Sequence, residues 1–149
     1  MDKEIMLAYT AGFFDGEGSI NLLKSVRKNR PLKNPEYSLT VAMGQKDGAT
    51  LDWMKDNFGG NVYLVKRDGT FFWALGNRQA AEFLRKILPY LQYKKPQAKA
   101  GIRYYDELPK RTTSTTSIEE INRREAIRQE LITLKKSIVK SQYVGSTTK

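Results

Sequence analysis

The segment Thr10-Ala-Gly-Phe-Phe-Asp-Gly-Glu-Gly18 constrains the fold more than any other, because helical periodicity gives way to strand periodicity there. Residues 3–14 have helical spacing of apolar groups behind the N-cap candidate Asp2, with Ile5, Met6, Tyr9, Phe13 and Phe14 forming the predicted apolar face. Gly16 and Gly18 are expected to end the helix, and apolar and polar residues alternate from residue 19 onward. The chain therefore turns directly from a helix into a strand at Glu17.

The pattern of one helix followed by two strands occurs twice along the chain, and three further helices follow it. The predicted strands span residues 19–27, 37–44, 61–66 and 70–75, and the predicted helices span 3–14, 47–58, 77–88, 96–107 and 117–139. Asp47 and Asn77 are the expected N-caps of the second and third helices. This order predicts an α+β fold, an αββαββα unit in which helices cover one face of a four-stranded antiparallel, saddle-shaped sheet, with extra C-terminal helices. We expect a main domain at 1–108, a polar linker at 109–117, and a C-terminal helix with a flexible tail at 118–149.

Composition narrows the possible functions. The 149 residues include 26 Lys and Arg against 16 Asp and Glu, a formal charge of +10, which favours an anionic partner but equally fits any basic soluble protein. The chain has no His and no Cys, which excludes histidine triads and thiolate metal sites. No apolar run is long enough to span a membrane and no leader pattern is present, so an intracellular protein is expected, in a prokaryotic cytoplasm or an organelle matrix.

The carboxylate of Glu17 is the most informative candidate group. At the C-terminal end of a helix it would face the negative end of the helix dipole, which is unfavourable unless a cation compensates. Ala8 and Gly12 are spaced i, i+4, as are Ala11 and Asp15, and small residues at this spacing let two helices approach closely. Each of these features, taken singly, also fits an alternative, an ordinary core helix with a glycine C-cap.

The segment at residues 10–18 resembles the signature of the LAGLIDADG homing endonucleases, in the type with one motif per chain. Ala11, Gly12, Phe13, Asp15, Gly16 and Gly18 fit the pattern, whereas Thr10 stands where leucine is common and Glu17 where Asp is frequent. The resemblance extends through the element order to about residue 107. It implies a homodimer that meets through Ala8, Ala11 and Gly12 and cuts double-stranded DNA.

The resemblance also implies a division of roles at the site. Glu17 would be the metal ligand, with the Gly16 carbonyl nearby, and Mg²⁺ the metal, for which Mn²⁺ or Ca²⁺ can substitute in crystals. Gln45 and Lys94 match by spacing the family's two further catalytic residues, although Lys94 with Lys95 is nearly as typical of a solvated pair or a phosphate contact. Residues 47–50 lack a basic residue that the family carries there.

Strand alternation predicts which side chains would face DNA. If Ile20, Leu22, Leu39 and Val41 are buried, their neighbours lie on the other, open face of the sheet. In the second hairpin, the residues expected to face the core are Val62, Leu64, Phe71, Trp73 and Leu75. Together with basic groups in loops and turns, the predicted DNA-contacting residues are Asn21, Leu23, Ser25, Arg27, Lys28, Arg30, Ser38, Thr40, Ala42, Tyr63, Lys66, Arg67, Phe72 and Ala74. An ordinary solvated sheet is the alternative, but exposed apolar groups on that face argue against it.

The sequence therefore predicts a homodimeric, metal-dependent, site-specific DNA endonuclease that makes a staggered double-strand break in a long pseudo-palindromic site, with no membrane partner and no small-molecule substrate. Two alternatives remain. One is a non-cleaving DNA- or RNA-binding protein on the same scaffold, a maturase or regulator. The other is a general basic RNA-binding protein.

Overall fold

The computed structural model describes residues 1–26, 34–109 and 116–146, with side chains described as far as residue 136. The elements are helices α1 (Lys3–Glu17), α2 (Gly48–Phe58), α3 (Asn77–Ile87), α4 (Lys95–Asp106) and α5 (Ile118–Ser146), a 3-10 turn (Leu88–Tyr90), and strands β1 (Gly18–Ser25), β2 (Glu36–Gln45), β3 (Asn61–Val65) and β4 (Thr70–Gly76). The predicted DNA-contacting residues Arg27, Lys28 and Arg30 lie outside the described residues, as does most of the predicted linker.

The four strands form one antiparallel sheet in the order β1-β2-β4-β3. Gly18 pairs with Met43 and Asn21 with Thr40 between β1 and β2, and Ala42 pairs with Ala74 between β2 and β4. The α+β prediction and the αββαββα order are confirmed. Because two hairpins are joined through their second strands, β1 and β3 form the two edges.

The core lies between one face of the sheet and the helices. Ile20, Leu22, Leu39 and Val41 are all buried, as the alternation predicts. Leu64 was also expected in the core, but 45% of it is exposed, because β3 is an edge strand and only part of it is covered by helices. Gly101 of α4 lies so close to the sheet that an added Cβ would be 3.2 Å from the Leu39 side chain.

Helix α1 differs from the prediction in its length and in its buried face. It runs through Glu17, so the whole acidic segment belongs to its last turn. Its buried residues are Leu7, Thr10, Ala11 and Phe14, whereas Ile5 and Tyr9 are more than half exposed. The helix is apolar on two sides, so its sequence periodicity does not identify which side the protomer buries.

Two local corrections concern the third and last helices. Asn77 was expected to cap α3, but Gly76 holds the N-cap position. Asn77 instead has a φ of 47° and accepts the Leu39 backbone N–H through its side-chain oxygen at 3.1 Å. Helix α5 continues to Ser146, beyond the predicted end at residue 139.

Helix α5 packs onto the rest of the fold. Ile127 and Leu131 belong to the same hydrophobic core as the sheet and α4. At the sheet edge, the Glu125 carboxylate accepts from Lys24 Nζ at 2.8 Å and from the Tyr37 hydroxyl at 2.9 Å. The division of the chain at 109–117 stays a prediction. None of the helices in the described part has the length and apolar character needed to cross a membrane.

Candidate functional site

Glu17 is the last residue of α1, and its side chain is exposed. The following Gly18 donates its N–H to the Phe14 carbonyl, and a Cβ at Gly18 would come within 2.3 Å of the Phe14 ring. Glycine is thus required where the chain leaves α1 against the core. Among the described residues, no hydrogen-bond or ion-pair partner meets the Glu17 carboxylate, so it stands unpaired at the negative end of a helix.

Asp15, two residues earlier, is fully engaged. Its carboxylate accepts the backbone N–H of Gln92 at 2.7 Å and that of Lys94 at 3.0 Å. These bonds tie the turn before α4 to the end of α1, across 79 residues of sequence in the case of Lys94. Asp15 therefore holds another segment against the end of α1. The spacing of residues in the sequence does not predict this contact.

This anchor places the Lys94 side chain at the end of α1. Its ammonium donates to the Asp15 backbone carbonyl at 2.5 Å, one of the carbonyls that a helix end leaves without a partner. Burial lowers the pKa of Lys94, while the charges of Asp15 and Glu17 act to raise it. The structure therefore brings Lys94 and Glu17, the two charged groups that the resemblance implies for the site, into one electrostatic neighbourhood.

Gln45 and Gly16 lie at the same end of the sheet. Gln45 ends β2, two residues after Met43, which pairs with Gly18. Gly16 is exposed in the last turn of α1, and its carbonyl belongs to the four that end the helix. No hydrogen bond joins Gln45 to Glu17 among the described residues. In the described part of the chain no three acidic side chains cluster as a metal site.

The predicted dimer residues divide between two sides of α1. Ala8 and Gly12 are exposed, and a Cβ added at Gly12 would meet nothing within 4 Å. Ala11 is 0% exposed and packs inside its own protomer. Its side chain is therefore not available to a partner, which corrects the prediction that it contributes to the interface. Ile5 and Tyr9, which were assigned to the core, lie on the exposed side instead.

The predicted DNA-facing residues form the open face of the sheet wherever the structure describes them. Leu23, Ser25, Tyr63, Lys66 and Arg67 are exposed, whereas Asn21, Ser38, Thr40, Ala42, Phe72 and Ala74 are half-buried. The rings of Tyr63 and Phe72 stack at a centroid distance of 5.8 Å. Phe72 also lies over Gly44, where an added Cβ would be 2.8 Å from its ring. Lys66 and Arg67 stand in the turn between β3 and β4.

One contact on this face was not foreseen. Lys135 of α5 donates to the side-chain oxygen of Asn21, whose amide nitrogen lies 3.4 Å from the Ser19 hydroxyl. Asn21 and Lys135 are 114 residues apart, and nothing in the sequence of the last helix indicates where it meets the sheet. A predicted DNA-reading side chain is thus bound to a cation of the last helix.

Known proteins resemble this chain both in sequence and in structure. The family model described as LAGLIDADG endonuclease matches residues 10–108. The DNA endonuclease I-CvuI of Chlorella vulgaris is 32% identical over 108 residues, covering 71% of this chain and 67% of that protein. The DNA endonuclease I-CreI of Chlamydomonas reinhardtii is 30% identical over 124 residues, covering 80% and 74%.

A crystal structure of I-CvuI in complex with DNA superposes with a TM-score of 0.78 at 24% identity, over 89% of this chain and 83% of that one. The intron-encoded RNA maturase bI4 of Saccharomyces cerevisiae is 34% identical over 74 residues. That match covers 48% of this chain but only 11% of the maturase.

Proposed function

The chain belongs to the LAGLIDADG endonuclease family, and from this premise we propose that it is a homodimeric homing endonuclease. It would cut both strands of a long pseudo-palindromic DNA site, leaving a staggered break, by metal-assisted phosphodiester hydrolysis. The observation that carries the proposal is the exposed Glu17 carboxylate, which no described residue pairs with, beside the anchored Lys94 ammonium. A carboxylate left unpaired at a helix C-terminus is the arrangement that a bound cation stabilises.

The outer side of α1 supports the dimer. Ile5 and Tyr9 expose more than half of their surface, and the small residues Ala8 and Gly12 lie between them on the same side. A helix that is apolar on both sides buries one side in its protomer and needs a second partner for the other. Packing two copies of α1 there would also bring two Glu17 side chains toward a shared axis.

A metal site shared by two protomers would explain why one protomer supplies few metal ligands. Glu17 supplies one carboxylate and Gly16 one backbone carbonyl, and oxygen ligands of this type suit Mg²⁺, with Mn²⁺ or Ca²⁺ as substitutes. When bound, such a metal activates water and neutralises charge on the scissile phosphate. The second protomer and the DNA phosphates would complete the ligand set that the described residues of one protomer lack.

The other residues of the site are assigned roles by their position. Lys94, held by Asp15 at the end of α1, would stabilise negative charge that develops on the phosphate. Its lowered pKa reflects partial burial, and a partly desolvated ammonium interacts more strongly with an anion than a solvated one does. Gln45, at the end of β2, would hold water near the same phosphate.

The open face of the sheet is the proposed DNA surface. The register sets polar and small side chains side by side across the strands, Asn21 opposite Thr40 and Ala42 opposite Ala74. Such groups suit base edges and thymine methyl groups in the major groove. Lys66 and Arg67, in the exposed turn at the far edge of the sheet, are suited to contact backbone phosphates and so to fix the position of the protein along the DNA. I-CvuI, with the same fold, binds DNA.

Glu17→Gln tests the proposal. The substitution removes the charge and keeps the shape, so we expect cleavage of a selected DNA site to be lost while DNA binding persists. Glu4→Gln is the matched control, because Glu4 is an exposed carboxylate in the first turn of the same helix; this variant should cleave normally. Undiminished cleavage by Glu17→Gln, or equal loss in both variants, would refute the assigned role.

The likeness to an RNA maturase favours one second candidate, RNA binding by the same scaffold without cleavage or alongside it. Binding assays with intron RNA and with the selected duplex distinguish the two functions. A protein that binds intron RNA tightly and cuts no DNA from a random library with Mg²⁺ or Mn²⁺ would be a maturase-type binder. Cleavage of DNA with weak RNA binding would establish the nuclease.

A further inference from the structure

Lys135 of α5 is a half-buried cation for which the described residues supply no carboxylate. Its ammonium donates to the Asn21 side chain. The other two cations beside it, Lys24 and Arg128, share the single carboxylate of Glu125, at 2.8 and 3.0 Å. An ammonium has three N–H donors, so Lys135 keeps donors for a further acceptor.

The surroundings of Lys135 raise the energy of its charge. Burial lowers the pKa of Lys135, and the nearby positive charge of Lys94 lowers it further. Lys94 has the charges of Asp15 and Glu17 beside it, whereas no described carboxylate pairs with Lys135. An anion bound at Lys135 would offset both the repulsion from Lys94 and the loss of hydration. Asn21, the acceptor of Lys135, follows Glu17 by four residues and lies in β1, which begins at Gly18. Lys135 therefore lies near the proposed cleavage site.

The space around Lys135 is a groove of about 250 Å³ between α5 and the edge strand β1. Its lining includes Asn21, Leu23, Arg128, Ile132 and Lys135. An edge strand also leaves some backbone N–H groups without strand partners. The groove is therefore open to solvent, positively charged and rich in donors.

The position of this groove indicates its occupant. Asn21 and Leu23 have the alternation of the open face, so the groove meets that face at its β1 edge. Lys94 lies at the end of α1, with Asp15 and Glu17. A DNA strand that passes from the sheet face to the cleaved bond would run beside Lys135. Asn21 and Lys135 together form the rim at that point.

We propose that the groove between α5 and β1 binds a backbone phosphate of the DNA close to the cleaved bond, with Lys135 as the residue that positions it. The proposal rests on the proposed function for the location of the cleaved bond, but the phosphate contact is testable without cleavage. It gives the last helix a role in substrate binding and not only in packing.

The test is the salt dependence of binding to a labelled DNA duplex of mixed sequence, measured by fluorescence anisotropy. Lys135→Ala should bind about tenfold more weakly near 0.1 M salt and reduce the slope of log K against log salt by about 1, the share of one phosphate contact. Lys135→Arg should retain the slope. Lys136→Ala is the matched control, since Lys136 is the exposed neighbour on the same helix and carries the same charge; it should change the slope little.

The outcomes separate a phosphate contact from other roles. Equal slopes for Lys135→Ala and Lys136→Ala would show that the effect comes from the loss of any positive charge on this helix, and would overturn the proposal. A lower melting temperature for Lys135→Ala with an unchanged slope would show that Lys135 only supports Asn21, which also overturns it. Failure of Glu17→Gln to abolish cleavage would refute the metal-binding role proposed for Glu17 and leave the slope result standing.

Discussion

Gly12→Ala tests whether the exposed side of α1 joins two protomers. Within the protomer a Cβ at Gly12 meets nothing within 4 Å, and Gly12 lies inside a helix of 15 residues. Replacing glycine by alanine in a helix interior stabilises the helix by about 1 kcal/mol. An isolated protomer should therefore unfold with a free energy raised by about that amount.

The dimer should respond in the opposite direction. If α1 packs on its twin at Gly12, the added methyl groups overpack the contact at a cost of about 1–3 kcal/mol for each well-packed site. Even a total of about 2 kcal/mol over the two copies corresponds to a dimer that dissociates about 30-fold more readily. Sedimentation velocity over a dilution series measures the dissociation constant, and chemical denaturation at low protein concentration measures protomer stability.

A contrasting variant separates the two effects. Gly18→Ala would place a Cβ 2.3 Å from the Phe14 ring of the same protomer, so it should lower the unfolding free energy directly. Weakened association of Gly12→Ala with a protomer at least as stable as wild type supports the interface. An unchanged dissociation constant, or a destabilised protomer, would refute the reasoning from the exposed side of α1.

Two further predictions concern other parts of the molecule. Asp15→Ala removes the acceptors that hold the backbone of Gln92 and Lys94, so single-turnover cleavage should slow by at least tenfold while DNA affinity stays within about threefold; equal losses in both would contradict a positioning role. Hydrogen bonds from Lys24, then Gln129, lower the pKa of Glu125 to about 2 from 4.5. Its contribution to stability is therefore complete above about pH 4.5 and is lost as pH falls toward 2. Acid denaturation followed by circular dichroism should show a smaller pH dependence over this window for Glu125→Gln, and an unchanged profile would contradict this attribution.

Most of the sheet could be predicted from the sequence because β1, β2 and β4 each bury one face. Strict alternation around Ile20 and Val41 fixed both strand positions and the inward side chains. Helix α1 lacked such a signal, since apolar groups such as Ile5 and Leu7 lie on both of its sides. The partial exposure of Leu64 likewise depends on strand order, which alternation within a single strand does not encode.

The candidate site was predictable only where the signal is local. Glu17 could be identified from its neighbours in the sequence, and Lys94 from the resemblance. The anchoring of Lys94 by Asp15 and the contact of Lys135 with Asn21 join segments 79 and 114 residues apart. Such pairings arise from the packing of α4 and α5 onto the sheet, and no periodicity within either helix specifies them.

The last turn of α1 explains how two neighbouring acids take opposite roles. Residues of an α-helix are about 100° apart around its axis, so positions 15 and 17 point in directions about 200° apart. Asp15 consequently faces the turn before α4, where two backbone N–H groups satisfy its carboxylate. Glu17 faces away from that turn, and no described group pairs with it. The helix ends at Gly18, which must be glycine beside the Phe14 ring, so both acids lie in its last turn. Moving either acid by one position would rotate it by about 100° around the helix axis and lose this separation. The geometry of one helical turn thus fixes Lys94 in place and leaves beside it the Glu17 carboxylate, which is free of every group that the structure describes.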